Sequence, residues 1–161
     1  MSTADAVTRE TAWLSTSGDG LPALLATAGG PFDLVQAYWP RTPSTEKRGL
    51  YVMRQRLREP RTANVRLMPQ YPFRLRAWWP LLDVTGSAEN EQQALDNAVE
   101  LVLQRVSGPQ FDKTHGGRFL SVAENPRTID ATFHDPAQTI PQLGVLICDI
   151  TYSADDIEVT G

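Results

Sequence analysis

From Tyr71 to Trp79 apolar and charged positions alternate. Phe73, Leu75, Ala77 and Trp79 fall on one side of an extended chain, and Arg74, Arg76 and Trp78 fall on the other. Side chains of a strand point to opposite faces with period two, so this pattern predicts a strand with one core face and one cationic face. The stretch "LYVMRQRL" (50–57) reads the same way, with Tyr51, Met53 and Gln55 on one side and Val52, Arg54 and Arg56 on the other. The segment "REPRTA" (58–63) has turn composition, which makes 50–57 and 64–79 the arms of a long antiparallel hairpin.

The strongest helical pattern lies over 87–109. Leu95, Ala98, Val99, Val102 and Val106 recur at 3.6-residue spacing, predicting a helix that lays one face on a sheet. Ser87 suits the N-cap, Glu89 and Glu91 suit the positive end of the helix dipole, and Gly108–Pro109 is a stop signal. Weaker patterns predict a helix over the first fifteen residues and a short one over "LPALLATAGG" (21–30), followed by an extended "FDLVQAYW" (32–39) and a loop over 40–49. Two strands, 117–124 and 127–135, are expected around Asn125–Pro126. A proline-bearing link then leads to "GVLICDITYS" (144–153). There Leu146, Cys148, Ile150 and Tyr152 share one face and Val145 and Ile147 the other, as in a central strand.

This order predicts an α+β fold: a mainly antiparallel sheet, one amphipathic helix (about 87–106) packed on one face, a long basic β-hairpin and short N-terminal helices. At 161 residues the chain is expected to form a single domain over 1–161. Its parts are an N-terminal helical and extended region (1–40), a basic loop and hairpin (41–83), the helix, and C-terminal strands (117–153).

Charge adds an asymmetry. Residues 41–76 hold ten of the fifteen basic groups and two acids, a local balance of +8, which leaves −12 on the rest of the chain. Such segregation suits contact with a polyanion or with an acidic surface on another copy. No apolar run approaches the roughly 20 residues of a membrane span, and the N-terminal stretch has no signal-peptide pattern.

Candidate chemistry is sparse. Gly29–Gly30 and Gly116–Gly117 lack the strand–glycine–helix context of a phosphate loop. His115 and His134 have no metal-ligand spacing and read as solvated. Cys148, the single cysteine, reads as a buried structural thiol. Asp155–Asp156 lacks a calcium-loop pattern. No cofactor, metal or catalytic set is expected, so the chain reads as a non-enzyme. The arginines of 41–76 with Tyr51, Tyr71, Phe73 and Trp78 could form a basic groove with stacking rings for nucleic acid. Against that, Arg and Trp also dominate protein interfaces.

The basic hairpin, then "YPFRLRAWWPLLDVTGSAENEQQALDNAVELVLQRVSG", then strands ending in "IPQLGVLICDITYSADDIEV", resembles the tail terminator proteins of long-tailed bacteriophages. The resemblance covers about residues 50–159. It implies a structural virion protein, made in the host cytoplasm, that forms a homo-hexameric ring. The ring caps the tail tube and joins it to the head-proximal neck. Implied partners are other copies of the chain, the tail tube protein and head-closure or connector proteins, with genome DNA passing through the ring. Under this reading Arg54, Arg56, Arg74 and Arg76 line the cationic face of the hairpin. They meet acids such as Asp155, Asp156 and Glu158 or the helix acids of the next subunit, or face the tube below, with Trp78 or Trp79 as the apolar anchor and a purely intramolecular core role as the alternative for Trp79. The alternatives are another neck component (a head-closure or head–tail connector protein), a nucleic-acid-binding module using 41–76, and a small enzyme with an unrecognised site.

Overall fold

The alternating stretch does form a strand, and it lies at the centre of a six-stranded sheet. The computed structural model describes residues 3–16, 21–55, 61–62, 66–67, 70–81, 88–107, 114–115, 118–119, 121–124 and 128–155. The strands are β1 (Leu34–Ala37), β2 (Gly49–Arg54), β3 (Arg61–Thr62), β4 (Arg66–Leu67), β5 (Gln70–Pro80), β6 (Ser121–Val122), β7 (Asp130–Phe133) and β8 (Val145–Asp155). The helices are α1 (Thr3–Ser15), α2 (Ala88–Ser107) and α3 (Pro136–Leu143). The fold is α+β, with a curled, mixed but mostly antiparallel sheet and helices packed on it.

Sheet order is β1-β2-β5-β8-β6, with β7 also paired to β8. The expected hairpin is present as β2 against β5, with Gly49 opposite Trp78 and Arg54 opposite Phe73. Its connection includes a small ladder between β3 and β4, while 56–60 lie outside the described residues. Strand β8 is central, running antiparallel to β5 over its whole length. β1 joins β2 in parallel, which the alternation pattern did not announce. β6 and β7 do not pair with each other as successive strands of a meander. Each pairs with a different stretch of β8, β6 at Ala154–Asp155 and β7 at Cys148–Thr151.

One face of the sheet makes the main core. Leu50 and Val52 of β2, Phe73, Leu75, Ala77 and Trp79 of β5, and Leu146, Cys148, Ile150 and Tyr152 of β8 pack with α1 and α2. The α2 stripe is buried as expected at Leu95, Ala98, Val99, Val102 and Val106. Each fully buried Leu or Ile, such as Leu75 and Ile150, contributes ~1.5–3 kcal/mol relative to exposure.

Three local expectations change. The helix expected over 21–30 is only a 3-10 turn at Ala26–Ala28, closed by Gly29 in the left-handed region (φ 90°). Gly30 serves packing there: a Cβ would lie 2.3 Å from the Leu24 carbonyl carbon. The link before β8 contains α3, whose N-cap Asp135 accepts the Ala137 N–H at 3.0 Å and whose end is Gly144 at φ 66°. Pro136 at its first position is compatible with helix, because the missing N–H would be unpaired there anyway. Of the strand expected over 117–124, only Ser121–Val122 is strand among the described residues. Ser87, Gly108–Pro109, Gly116–Gly117 and Asn125–Pro126 lie outside them.

Candidate functional site

The second face of the sheet carries Arg74 and Arg76, two of the four arginines that the sequence singled out. Strand register places two rows across it: Met53, Arg74, Thr151 and Asp130 in one, and Tyr51, Arg76, Asp149 and Thr132 in the next. Beyond them Tyr51, Trp78, Val145 and Ile147 form a small apolar cluster backed by Leu34 and Trp39. The chain leaves β1 at Tyr38, which takes φ 69°, and the segment that follows passes over this cluster. Trp78 Nε1 donates to the Ser44 carbonyl at 2.9 Å, and the Trp39 ring meets Tyr51 and Trp78 edge-on at 5.0 and 5.2 Å.

Arg76 is fully engaged inside the chain. Its Nε and Nη2 donate to the two oxygens of Asp149 at 2.8 and 3.0 Å, and its guanidinium lies 5.2 Å from the Trp39 ring centre. His134 Nε2 also reaches Asp149, at 3.0 Å. Burial pushes the Asp149 carboxyl up, but hydrogen bonds and charge from Arg76 and His134 outweigh it and hold the group below its ordinary range. This answers why a half-buried strand tolerates that arginine: its counter-charge is on the neighbouring strand.

Arg74 differs. It is partly exposed, has no ion-pair partner among the described residues, and its Nε is buried without a hydrogen bond. A polar recess of about 130 Å³ opens at that end of the sheet, lined by Gln55, Thr128, Asp130, Thr151, Tyr152 and Ser153.

The residues expected to meet other chains are thus differently placed. Arg54 is exposed but lies opposite Phe73, so it belongs to the helix-covered face of the sheet and not to the face of Arg74 and Arg76. The correction follows from period two, since positions 54 and 74 have opposite sense in this register. Trp78 is 6% exposed and hydrogen-bonded, hence no exposed anchor, and Trp79 is a core residue whose Nε1 donates to Glu91 at 2.9 Å. Asp155 is 7% exposed and accepts from Ser121 Oγ at 3.2 Å, so it does not present a carboxylate outward. Burial raises its carboxyl above the ordinary range, against the hydrogen bonds of Ser121 and Gln70. Arg56, Asp156 and Glu158 lie outside the described residues. The four rings considered for base stacking, Tyr51, Tyr71, Phe73 and Trp78, are all buried, so none offers a face to a base.

A second charged cluster was missed. His115, read as solvated, is fully buried, its Nδ1 2.7 Å from Glu10 Oε1 and its Nε2 3.3 Å from the Val106 carbonyl. Its ring stacks on Trp13 at 3.5 Å. Nδ1 thus meets the Glu10 carboxyl directly, with both groups enclosed by protein. Arg105, also buried, donates to the Trp13 and Pro22 carbonyls and to Thr16 Oγ1. These groups tie α1 to α2 and to His115. Burial, then the Glu10 charge, pushes the Tyr152 phenol well above its usual range. Cys148 is buried as expected; burial, then Asp149 and Asp96, raise its thiol to about 12.

Among the described residues no group of His, Cys, Asp and Glu could hold a metal ion, and no helix is long and apolar enough to cross a membrane. In comparisons with known proteins, no family model matches the chain and no curated protein matches it.

Proposed function

We propose that this chain is a structural subunit of a phage tail, a tail terminator that acts by ring formation and docking without catalysis. Within the neck, the head-closure and connector roles are the nearest alternatives. The observation that carries the reading is Arg74: a cation beside the internally paired Arg76, with a buried Nε lacking an acceptor. An unsatisfied buried donor of this kind is destabilising by about 1–3 kcal/mol, and an acceptor supplied by a docking partner would relieve it. The partner surface is accordingly acidic, on the tube protein below or on a neck protein above. Arg76 contributes only indirectly, by holding the strand beside it.

Two measurements test this. Sedimentation at low and high salt should give a discrete oligomer of the purified chain. A monomer at every concentration, with no ring in assembled particles, would refute the ring. Arg74→Glu removes the unsatisfied Nε, so it should not lower the melting transition and should prevent joining of tails to heads, whereas normal particles from that variant would remove Arg74 from the docking surface. The double change with Arg76→Glu is a poorer test, because it also breaks the internal pair with Asp149.

A further inference from the structure

Among the described residues β1 and β7 each pair on one side only, and just before β1 the Phe32 N–H and C=O already bond Leu24 and Ala26. At β1, hydrogen bonds from Leu34 and Tyr38 to β2 mean that Val35 and Ala37 turn their N–H and C=O groups away from the sheet. At β7, the His134 N–H bonds to the Ile147 carbonyl, so by the antiparallel alternation Ala131 and Phe133 turn theirs outward. All four β7 residues are exposed, including Phe133 at 48%. Such an edge is a template for another strand unless it is blunted or covered. Tyr38, another exposed large apolar side chain at 38%, directly follows β1.

Resting on the ring reading above, we infer that successive copies join edge to edge, β7 of one copy pairing antiparallel with β1 of the next. Across the sheet β1 and β7 run in opposite directions, so copies related by rotation about an axis along the strands bring them together antiparallel. One register aligns both outward pairs: Val35 with Phe133 and Ala37 with Ala131. It also matches the faces. Val35 and Ala37 already pack toward the helix-covered core, and Phe133 borders an apolar notch of about 140 Å³ beside Leu95 and Leu146 on that same side. Gln36 then faces Thr132 on the other side. The two acids that meet past the strand ends, Asp33 and Asp135, each already accept a backbone N–H in their own chain. The interface uses two different surfaces of one chain, the requirement for a closing ring.

The intervening pair, Gln36 with Thr132, is the non-hydrogen-bonded pair of this register. Its Cα atoms would lie about 4.5 Å apart, within disulfide range. Oxidation of a Gln36→Cys/Thr132→Cys double variant should therefore give a denaturant-resistant ladder of cross-linked chains ending at the ring size. Each single variant should stay uncross-linked, and so should Gln36→Cys/Asp130→Cys. Ala131→Pro, which deletes only an outward N–H, should keep the wild-type melting transition and lose the oligomer. A wild-type oligomer that persists with Ala131→Pro, or that cross-links no better through 36/132 than through 36/130, overturns this interface and leaves the ring standing. A wild-type chain that never oligomerises overturns both.

Discussion

Replacing Arg76 by methionine removes one of two charges that were buried together and leaves Asp149 with His134 alone. The magnitude follows from the geometry. The side chains of Arg76 and Asp149 are 22% and 11% exposed, so the pair lies between a surface ion pair and a buried one. Exposed pairs contribute ~0.2–1 kcal/mol, and breaking a fully buried pair costs ~3–5 kcal/mol. With two charge-assisted bonds and the stack on Trp39 lost, Arg76→Met should destabilise by about 2–3 kcal/mol. Asp149→Leu should be similarly costly, and the double variant should cost less than the two singles together, because no charge is then stranded. Urea titrations at pH 7 measure this, read from midpoints at constant slope. Because Asp149 is depressed in the folded state, its stabilisation is present above the ordinary carboxyl value of about 4. It disappears only as pH falls further, through the folded value. A coupling below about 0.5 kcal/mol at pH 7 would place the pair with exposed surface pairs and refute the account of why the strand carries Arg76.

The Glu10–His115 contact is enclosed on both sides, so Glu10→Ala should cost about 3–5 kcal/mol. Glu10→Gln should cost distinctly less, because its amide can still hydrogen-bond Nδ1, and equal losses in thermal or urea unfolding would rule out that bond as the source of the stability. Asp155 carries the opposite sign from Asp149. Its folded carboxyl is raised, so the stability it contributes is fully present below the ordinary value of about 4 and is lost as pH rises through the folded value. Asp155→Asn should therefore flatten the fall in urea midpoint across that window, and parallel profiles for variant and wild type would contradict the shift.

Period-two and 3.6-residue patterns were enough to foresee β2, β5, α2 and β8 and the alternation within each, because there burial on one side dictates residue type, but not which side of β2 shares a face with the arginines of β5. They failed where a tertiary partner sets the outcome. The parallel attachment of β1 and the splitting of β6 and β7 along β8 depend on long-range pairing that strands of two to four residues do not encode. The helix α3 was hidden because Pro136 and Pro141 read as breakers, although Asp135–Pro136 is an ordinary helix start. His115 looked like a loop histidine because Glu10 is 105 residues away in sequence.

The arginines of β5 show where that boundary falls. Arg74 and Arg76 are two residues apart, on the same face, each flanked by apolar neighbours, and nothing local separates them. What separates them is the register with β8, which puts Asp149 opposite Arg76 and Thr151 opposite Arg74. Asp149 was legible after the fact, as the lone acid in the apolar run 145–150, on the side away from Leu146, Cys148 and Ile150. Its assignment to one arginine rather than the other required the pairing of strands 73 positions apart. A shift of β8 by two residues would exchange their places, satisfying Arg74 inside the chain and leaving Arg76 without its acid. The sheet's register, more than its count of arginines, thus decides which cation is paired within the chain and which is not.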